Sequence, residues 1–252
     1  MRRIKLTVAY EGTDYCGWQV QPNGTSVQSV LDRALSTWLG EEIRTIGASR
    51  TDAGVHALGN VAVFDTEARM PGEKFAYALN TRLPEDIRIQ ESAEVPSEFH
   101  PRFTKTIKTY EYKILNRRFP DPLRRRDSFF WYGSLDLEKM KEAALCIEGT
   151  HDFRSFAAAG GNTFENGGST VRTVYKTELW NENDMIHFRI TGNGFLYNMV
   201  RIIAGTLLEV GKGNLKPQDI PAIIEARDRS KAGPTARACG LTLLGIRYPE
   251  WE

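Results

Sequence analysis

The chain has few of the residues that mark several enzyme classes. It contains 3 cysteines and 4 histidines in 252 residues. Cys16, Cys146 and Cys239 are scattered, form no CxxC and give no even-numbered disulfide framework, which suits a reducing compartment. Each reads as a small buried hydrophobe. His56, His100, His151 and His187 are far apart and no HExxH occurs, which argues against a zinc hydrolase. No G-x-G-x-x-G follows a strand, and no G-x-S-x-G elbow is present. Gly205 to Lys212 superficially suggests a phosphate loop. Five residues separate its glycines, however, and Gly213 stands where a hydroxyl would hold Mg²⁺. No apolar run is long enough to span a bilayer. The basic start, Met1-Arg2-Arg3-Ile4-Lys5-Leu6, leads straight into an alternating pattern and lacks the apolar core of a signal peptide. The expectation is a cytoplasmic protein without a membrane segment.

Charge of one sign is scarce overall but not locally. The net charge is +1, with 41% hydrophobic and 26% charged residues, as in an ordinary globular protein. From Pro101 to Arg126, nine Lys or Arg face only Glu111 and Asp121, a local balance of +7. Such a stretch is either a solvated loop or a phosphate-binding face on an otherwise neutral protein.

Periodicity predicts an α+β fold. Ile4, Leu6, Val8 and Tyr10 alternate as a half-buried strand. Ser26 caps a helix with Val27, Val30, Leu31, Ala34, Leu35, Trp38 and Leu39 on one face, and Gly40 ends it. Strands follow at Ile43–Ala48 and Leu58–Phe64, a helix at Glu73–Asn80 and a strand at Ile87–Ala93. This order is the split ferredoxin-like one. The second half reads similarly. Lys108–Leu115 forms a strand, Asp136 caps a helix through Ile147, and strands at Val171–Trp180 and Met185–Thr191 pair across a turn. An apolar helix spans Phe195–Val210 and ends at Gly211, another begins near Pro217, and the last strand is Leu241–Tyr248. The expected architecture is two ferredoxin-like (RRM-like) halves, residues 1–104 and 105–252. Their antiparallel sheets lie side by side, with helices on one side and a central active-site cleft on the other. The Gly-rich segment 157–169 reads as a long mobile loop.

The run Arg50-Thr51-Asp52-Ala53-Gly54-Val55-His56 holds one carboxylate at a tight bend between strand-like segments. An Asp in such a bend either bonds its own backbone or is presented for chemistry at a rigid loop tip. Arg201 lies in a helix apolar nearly all round, so it either snorkels to the surface or pairs with a carboxylate such as Asp52. Tyr110 and Tyr112 share a strand face, where tyrosine is either core or a phenol that stacks on a base or moves a proton.

Together these segments resemble the TruA family of tRNA pseudouridine synthases. The likeness runs the length of the chain: Tyr10-Glu-Gly-Thr, Gly17-Trp18-Gln19, Ser26-Val27-Gln28, the Asp52 run, Asn80 with Leu83-Pro84, and Phe99-His100-Pro101-Arg102-Phe103. It continues through Lys108-Thr-Tyr110-Glu-Tyr112, Gly149-Thr-His-Asp-Phe153, Asn198-Met199-Val200-Arg201 and Gly240-Leu241. Cys16 departs from the aromatic expected there. The resemblance implies a cofactor-free, metal-free isomerase converting uridine to pseudouridine at positions 38 to 40 of the tRNA anticodon arm. It implies that Asp52 is the nucleophile, attacking C1′ or C6, with Arg201 as its ion-pair partner. Tyr110 would contact the target base and is a candidate to take the C5 proton; Arg50 would help displace the nucleotide. A homodimer gripping tRNA across both subunits is implied too. The alternatives are a non-catalytic RNA-binding protein of two RRM-like halves and a nucleoside glycosidase. The first would show RNP-type aromatic clusters, which are absent, and the second would usually use two carboxylates.

Overall fold

The alternation of Ile4, Leu6, Val8 and Tyr10 becomes strand β1, Arg2–Tyr10, with those four side chains buried. The computed structural model describes residues 1–160 and 168–251. Its chain forms two compact units: Met1–Thr106 together with the tail from Thr242, and Ile107–Leu241.

In the first unit, helix α1 (Val27–Leu39) starts at Ser26, whose hydroxyl accepts the Ser29 N–H while Ser29 answers to the Ser26 N–H. It stops at Gly40, whose φ of 69° is the left-handed conformation a helix C-terminus commonly takes. Strands β2 (Ile46–Gly47) and β3 (His56–Thr66), helix α2 (Lys74–Asn80) and strand β4 (Ile87–Val95) follow. The sheet order is β4-β1-β3, antiparallel throughout, with β2 antiparallel on the far edge of β3. Phe64 of β3 meets Phe75 of α2 edge-to-face, and Phe75 meets Trp38 of α1, so both helices pack over one sheet face. Val61 and Val63 point the other way, into a cluster with Ala48, Phe99 and Tyr248. Strand β3 is therefore buried on both faces, each large apolar side chain contributing about 2 kcal/mol.

The expected strand at Ile43–Ala48 shrinks to two residues. Side chains of α1 take the backbone groups that a ladder would use. Asp32 accepts the N–H of Thr45 at 2.8 Å and Ser36 accepts the N–H of Ile43 at 3.0 Å. The last strand, β10 (Leu241–Arg247), sits beside β3, pairing parallel through Thr242 with His56 and Leu243 with Ala57. The sequence reading had grouped this strand with the second half and expected wholly antiparallel sheets. Pattern within a strand carries no information on its partner.

The second unit is built on β5 (Ile107–Asn116), β9 (Met185–Gly192), β8 (Val171–Glu182) and β7 (Gly149–Asp152), antiparallel in that order. A short β6 (Phe129–Trp131) runs parallel to β5, a second departure from an antiparallel sheet. Helix α3 (Leu137–Leu145) buries Met140, Ala143 and Ala144, packing on β8 and on α4 (Met199–Gly211); α5 (Asp219–Ala226) buries Ile220, Ile223 and Ile224. Strands β6 and β7 were not expected; both are too short for a period to emerge. Helix α4 begins four residues later than predicted, because Asn198 adopts a left-handed φ of 59° that interrupts the apolar run. Gly205 lies inside this helix. A Cβ there would stand 1.8 Å from the Pro234 carbonyl oxygen, so this glycine serves close packing and not phosphate binding.

Most of the Gly-rich segment expected as a loop, residues 161–167, lies outside the described residues. The three cysteines are free and half-exposed, where burial had been expected. Among the described residues, no helix is long and apolar enough to cross a membrane, and no group of three His, Cys, Asp or Glu could hold a metal ion.

Candidate active site

Asp52 occupies the first position of a tight turn. Its carbonyl accepts the Val55 N–H at 3.1 Å, and Gly54 has the positive φ, 76°, that a type II turn needs at its third position. That backbone bond closes the turn. Asp52 is half-buried, between buried Thr51 and exposed Ala53.

The segment 12–18 braces the turn from outside. The Trp18 N–H donates to Thr51 O at 3.0 Å and the Gly54 N–H reaches Tyr15 O. A Cβ on Gly12 would lie 2.0 Å from Val55 O, and one on Gly17 would lie 2.7 Å from Thr51 O. Backbone meets backbone at both glycines, so no side chain fits.

Beneath the turn runs a buried polar network. Tyr10 OH and Thr51 Oγ1 are 2.7 Å apart. Asn60, fully buried, donates to Tyr10 OH and to Ser49 O and accepts the N–H groups of Ser49 and Val61. Every Asn60 amide atom is engaged, so the residues leading into Asp52 are fixed from one strand. His56 ends the turn as a brace. Its Nδ1 accepts the Gly12 N–H at 3.0 Å, which requires the neutral tautomer with the proton on Nε2. This frame is not legible in the sequence. Tyr10 and the Gly12 and Gly17 segments stand out in the sequence, but nothing in their spacing ties them to Thr51 or Val55.

Arg50 is exposed. Partial burial and, next, the charge of Arg102 push its pKa below the ordinary arginine value, though it stays protonated at neutral pH.

In the second unit, Tyr110 and Tyr112 part company. Tyr112 is fully buried and donates to Arg237 O at 2.9 Å, with Gly240 against its ring. Burial raises its pKa far above the ordinary phenol range, so it remains a protonated core residue. Tyr110, also buried, packs edge-to-face on Phe195 with centroids 5.3 Å apart. The intervening Glu111 is buried and bonds Arg189 at 2.9 Å across the ladder, which fixes the strand that carries Tyr110.

Arg201 sits in the first turn of α4 and does not snorkel. Its Nε donates to Ala236 O and its Nη1 to Asn198 Oδ1, both at 2.8 Å, while the Ala236 N–H returns to Arg201 O. The left-handed Asn198 that delays the helix is thus also what grips the guanidinium. Of the basic stretch, Arg102, Lys105, Arg117, Arg118, Arg124 and Arg125 are exposed.

A braced turn carrying one carboxylate is a geometry that suits covalent or acid–base chemistry. Comparison with known proteins gives the class. The family model for tRNA pseudouridine synthase matches residues 6–104 and 143–249, segments that contain Arg50, Asp52 and Arg201; Tyr110 falls between them. The chain belongs to the tRNA pseudouridine synthase family, of the TruA type, and is accordingly an isomerase. It is 49% identical over 249 residues to a tRNA pseudouridine synthase A of Ruminiclostridium cellulolyticum, covering 98% of this chain and 100% of that one. It is 48% identical to the protein of that name from Acetivibrio thermocellus (98% and 100% covered) and 45% identical to the one from Geobacter sp. strain M21 (99% and 100%).

Proposed function

We propose that this protein isomerises uridine to pseudouridine at positions 38, 39 and 40 of the tRNA anticodon arm, with Asp52 as nucleophile. The observation that carries the reading is the Asp52 turn. It is locked by the Gly12 and Gly17 contacts and the Asn60 network, and it places one carboxylate on a fixed backbone. Such rigidity is what a nucleophile needs to reach C1′, in line with the breaking N1–C1′ bond, or C6, from one face of the ring, of a nucleotide held out of its stack. The reaction breaks N1–C1′, forms C5–C1′, moves the C5 proton to solvent and protonates N1. It needs no outside electrons.

Arg201 serves as the counter-ion of Asp52, its guanidinium already oriented by Ala236 and Asn198. Tyr110 contacts the target base and takes the C5 proton on its way to solvent. Arg50, exposed two residues before the nucleophile, displaces the nucleotide. Exposed arginines and lysines of 102–125 contact tRNA phosphates. The strand order β4-β1-β3-β2 of the first unit, with both helices on one face, supports a ferredoxin-like unit. The enzyme works as a homodimer in the cytoplasm.

The test is tritium release from tRNA labelled at uracil C5. Wild type releases label, and Asp52→Asn lowers release by about a thousandfold or more while tRNA binding and melting temperature hold. Release that persists in Asp52→Asn, or no release by wild type from any tRNA, refutes the assignment. Mapping the modified nucleotide tests the anticodon-arm positions.

A further inference from the structure

Phe103 exposes 83% of its surface, yet it is held rigidly. Single exposed aromatics are common and need no explanation. This one stacks on the His100 ring at 4.2 Å and 24°. His100 Nδ1 accepts the N–H groups of both Arg102 and Phe103, at 3.2 and 3.3 Å, and His100 O accepts the Thr104 N–H at 3.1 Å. The base of the turn is anchored as well. Phe99 is buried against Tyr248 and Trp251, and Tyr248 OH donates to Pro101 O at 3.0 Å. The entropy of fixing an aromatic ring has thus been met before anything touches it.

The same cluster that holds Phe99 holds Ala48, two residues before Arg50. Arg50 and Arg102 therefore leave one anchor. Among the described residues, neither guanidinium has a hydrogen-bonded carboxylate, while Arg102 reaches over the Phe103 ring at 5.9 Å. Two like charges kept together favour an anion, and an aromatic face beside them favours a planar ring.

We propose that Arg50, Arg102 and Phe103 grip one unpaired RNA nucleotide, the guanidiniums on its phosphate and the Phe103 ring against its base. The proposal rests on the RNA reading above, narrows the phosphate contact of Arg102 to a single nucleotide shared with Arg50, and adds Phe103 as a positioning residue. Phosphate alone would not call for an exposed ring, and a stacking protein side chain would not call for two uncompensated arginines.

Binding of unlabelled tRNA and tritium release are measured for the full chain and for Phe103→Ala, Phe103→Trp and Arg102→Gln, all exposed positions whose replacement leaves the core intact. Phe103→Ala weakens tRNA binding about tenfold and Phe103→Trp restores it. Arg102→Gln flattens the slope of log K against log salt by about 0.7 to 0.9, one phosphate's share. In both losses KM rises and kcat at saturating tRNA stays near wild type. If wild type releases tritium but the variants bind with unchanged affinity and salt slope, this inference fails and the proposed function stands. If wild type binds tRNA yet releases nothing, the function fails, while the binding comparison still decides the grip. A change of oligomeric state in Phe103→Ala, with RNA affinity intact, would assign the ring to a second copy and overturn the proposal.

Discussion

The turn bearing Asp52 and the helix start bearing Arg201 are fixed by opposite means. Under Asp52 lies a polar network, with Asn60 engaging every atom of its amide and Tyr10 meeting Thr51. The Arg201 guanidinium has polar partners in Ala236 and Asn198, but the helix that carries it is anchored by apolar packing. Helix α4 buries eleven of its thirteen residues, and a loop folds over it through Gly205 against Pro234 and Gly233 against Thr206. Polar networks specify direction, because each bond has one geometry. Dense apolar packing specifies depth and tolerates little added volume. The Asp52 turn is held by the first, and the helix that carries Arg201 by the second.

Glycine substitutions test this contrast most severely. Gly205→Ala puts a Cβ 1.8 Å from Pro234 O while Gly233 already touches Thr206, so the loop cannot retreat. It should destabilise the protein by about 3 kcal/mol in urea unfolding. Gly12→Ala meets Val55 O at 2.0 Å, but the neighbouring Ala53 is exposed, so solvent leaves room for part of the shift. Its cost should be smaller, about 2 kcal/mol, with a larger loss of turnover per folded molecule. Unchanged turnover in Gly12→Ala would mean that segment 12–18 does not position Asp52 for the proposed reaction.

Asn60→Ala probes the network itself. Tyr10 OH, Ser49 O and the N–H groups of Ser49 and Val61 all lose this partner. A loss of about 2 kcal/mol is expected, with activity lowered before the fold is lost. Thermal melts at matched activity separate the two effects.

The mildest effect concerns His100. Burial first, then Arg102 and Arg3, lower its pKa from 6.5, and its Nδ1 must stay unprotonated to accept two N–H groups. The folded form therefore disfavours the proton. The turn contributes its full stability above about pH 6.5, and the contribution declines as pH falls below that, levelling off once the folded imidazole is itself protonated. An NMR titration of the ring should give a midpoint below 6.5; a midpoint at or above it would contradict the turn geometry.

Much of the fold could be read from residues alone. β1 followed from four alternating apolar positions, and α1 from Ser26 and Gly40 at its ends. Both signals are local, set by neighbours within a few residues. The bend at Asp52 was legible for the same reason, since Gly54 marks a positive φ. The start of α4 was not legible, because an apolar run looks the same on either side of a left-handed asparagine. Tyr110 and Tyr112 share a strand face and a residue type, so only their surroundings separate them.

The order of apolar and polar residues, the caps and the glycines determined which segments would be strand, helix or turn, because those choices depend on energies felt within a few residues. Tertiary structure alone decided that β10 would lie parallel to β3, that Asn60 would tie Ser49 to Tyr10, and that Gly12 and Gly17 would press on the Asp52 turn. These contacts join residues from 11 positions apart, as Asn60 and Ser49, to 50 and more, as Asn60 and Tyr10, and their strength depends on burial and direction, which exist only once the chain has folded.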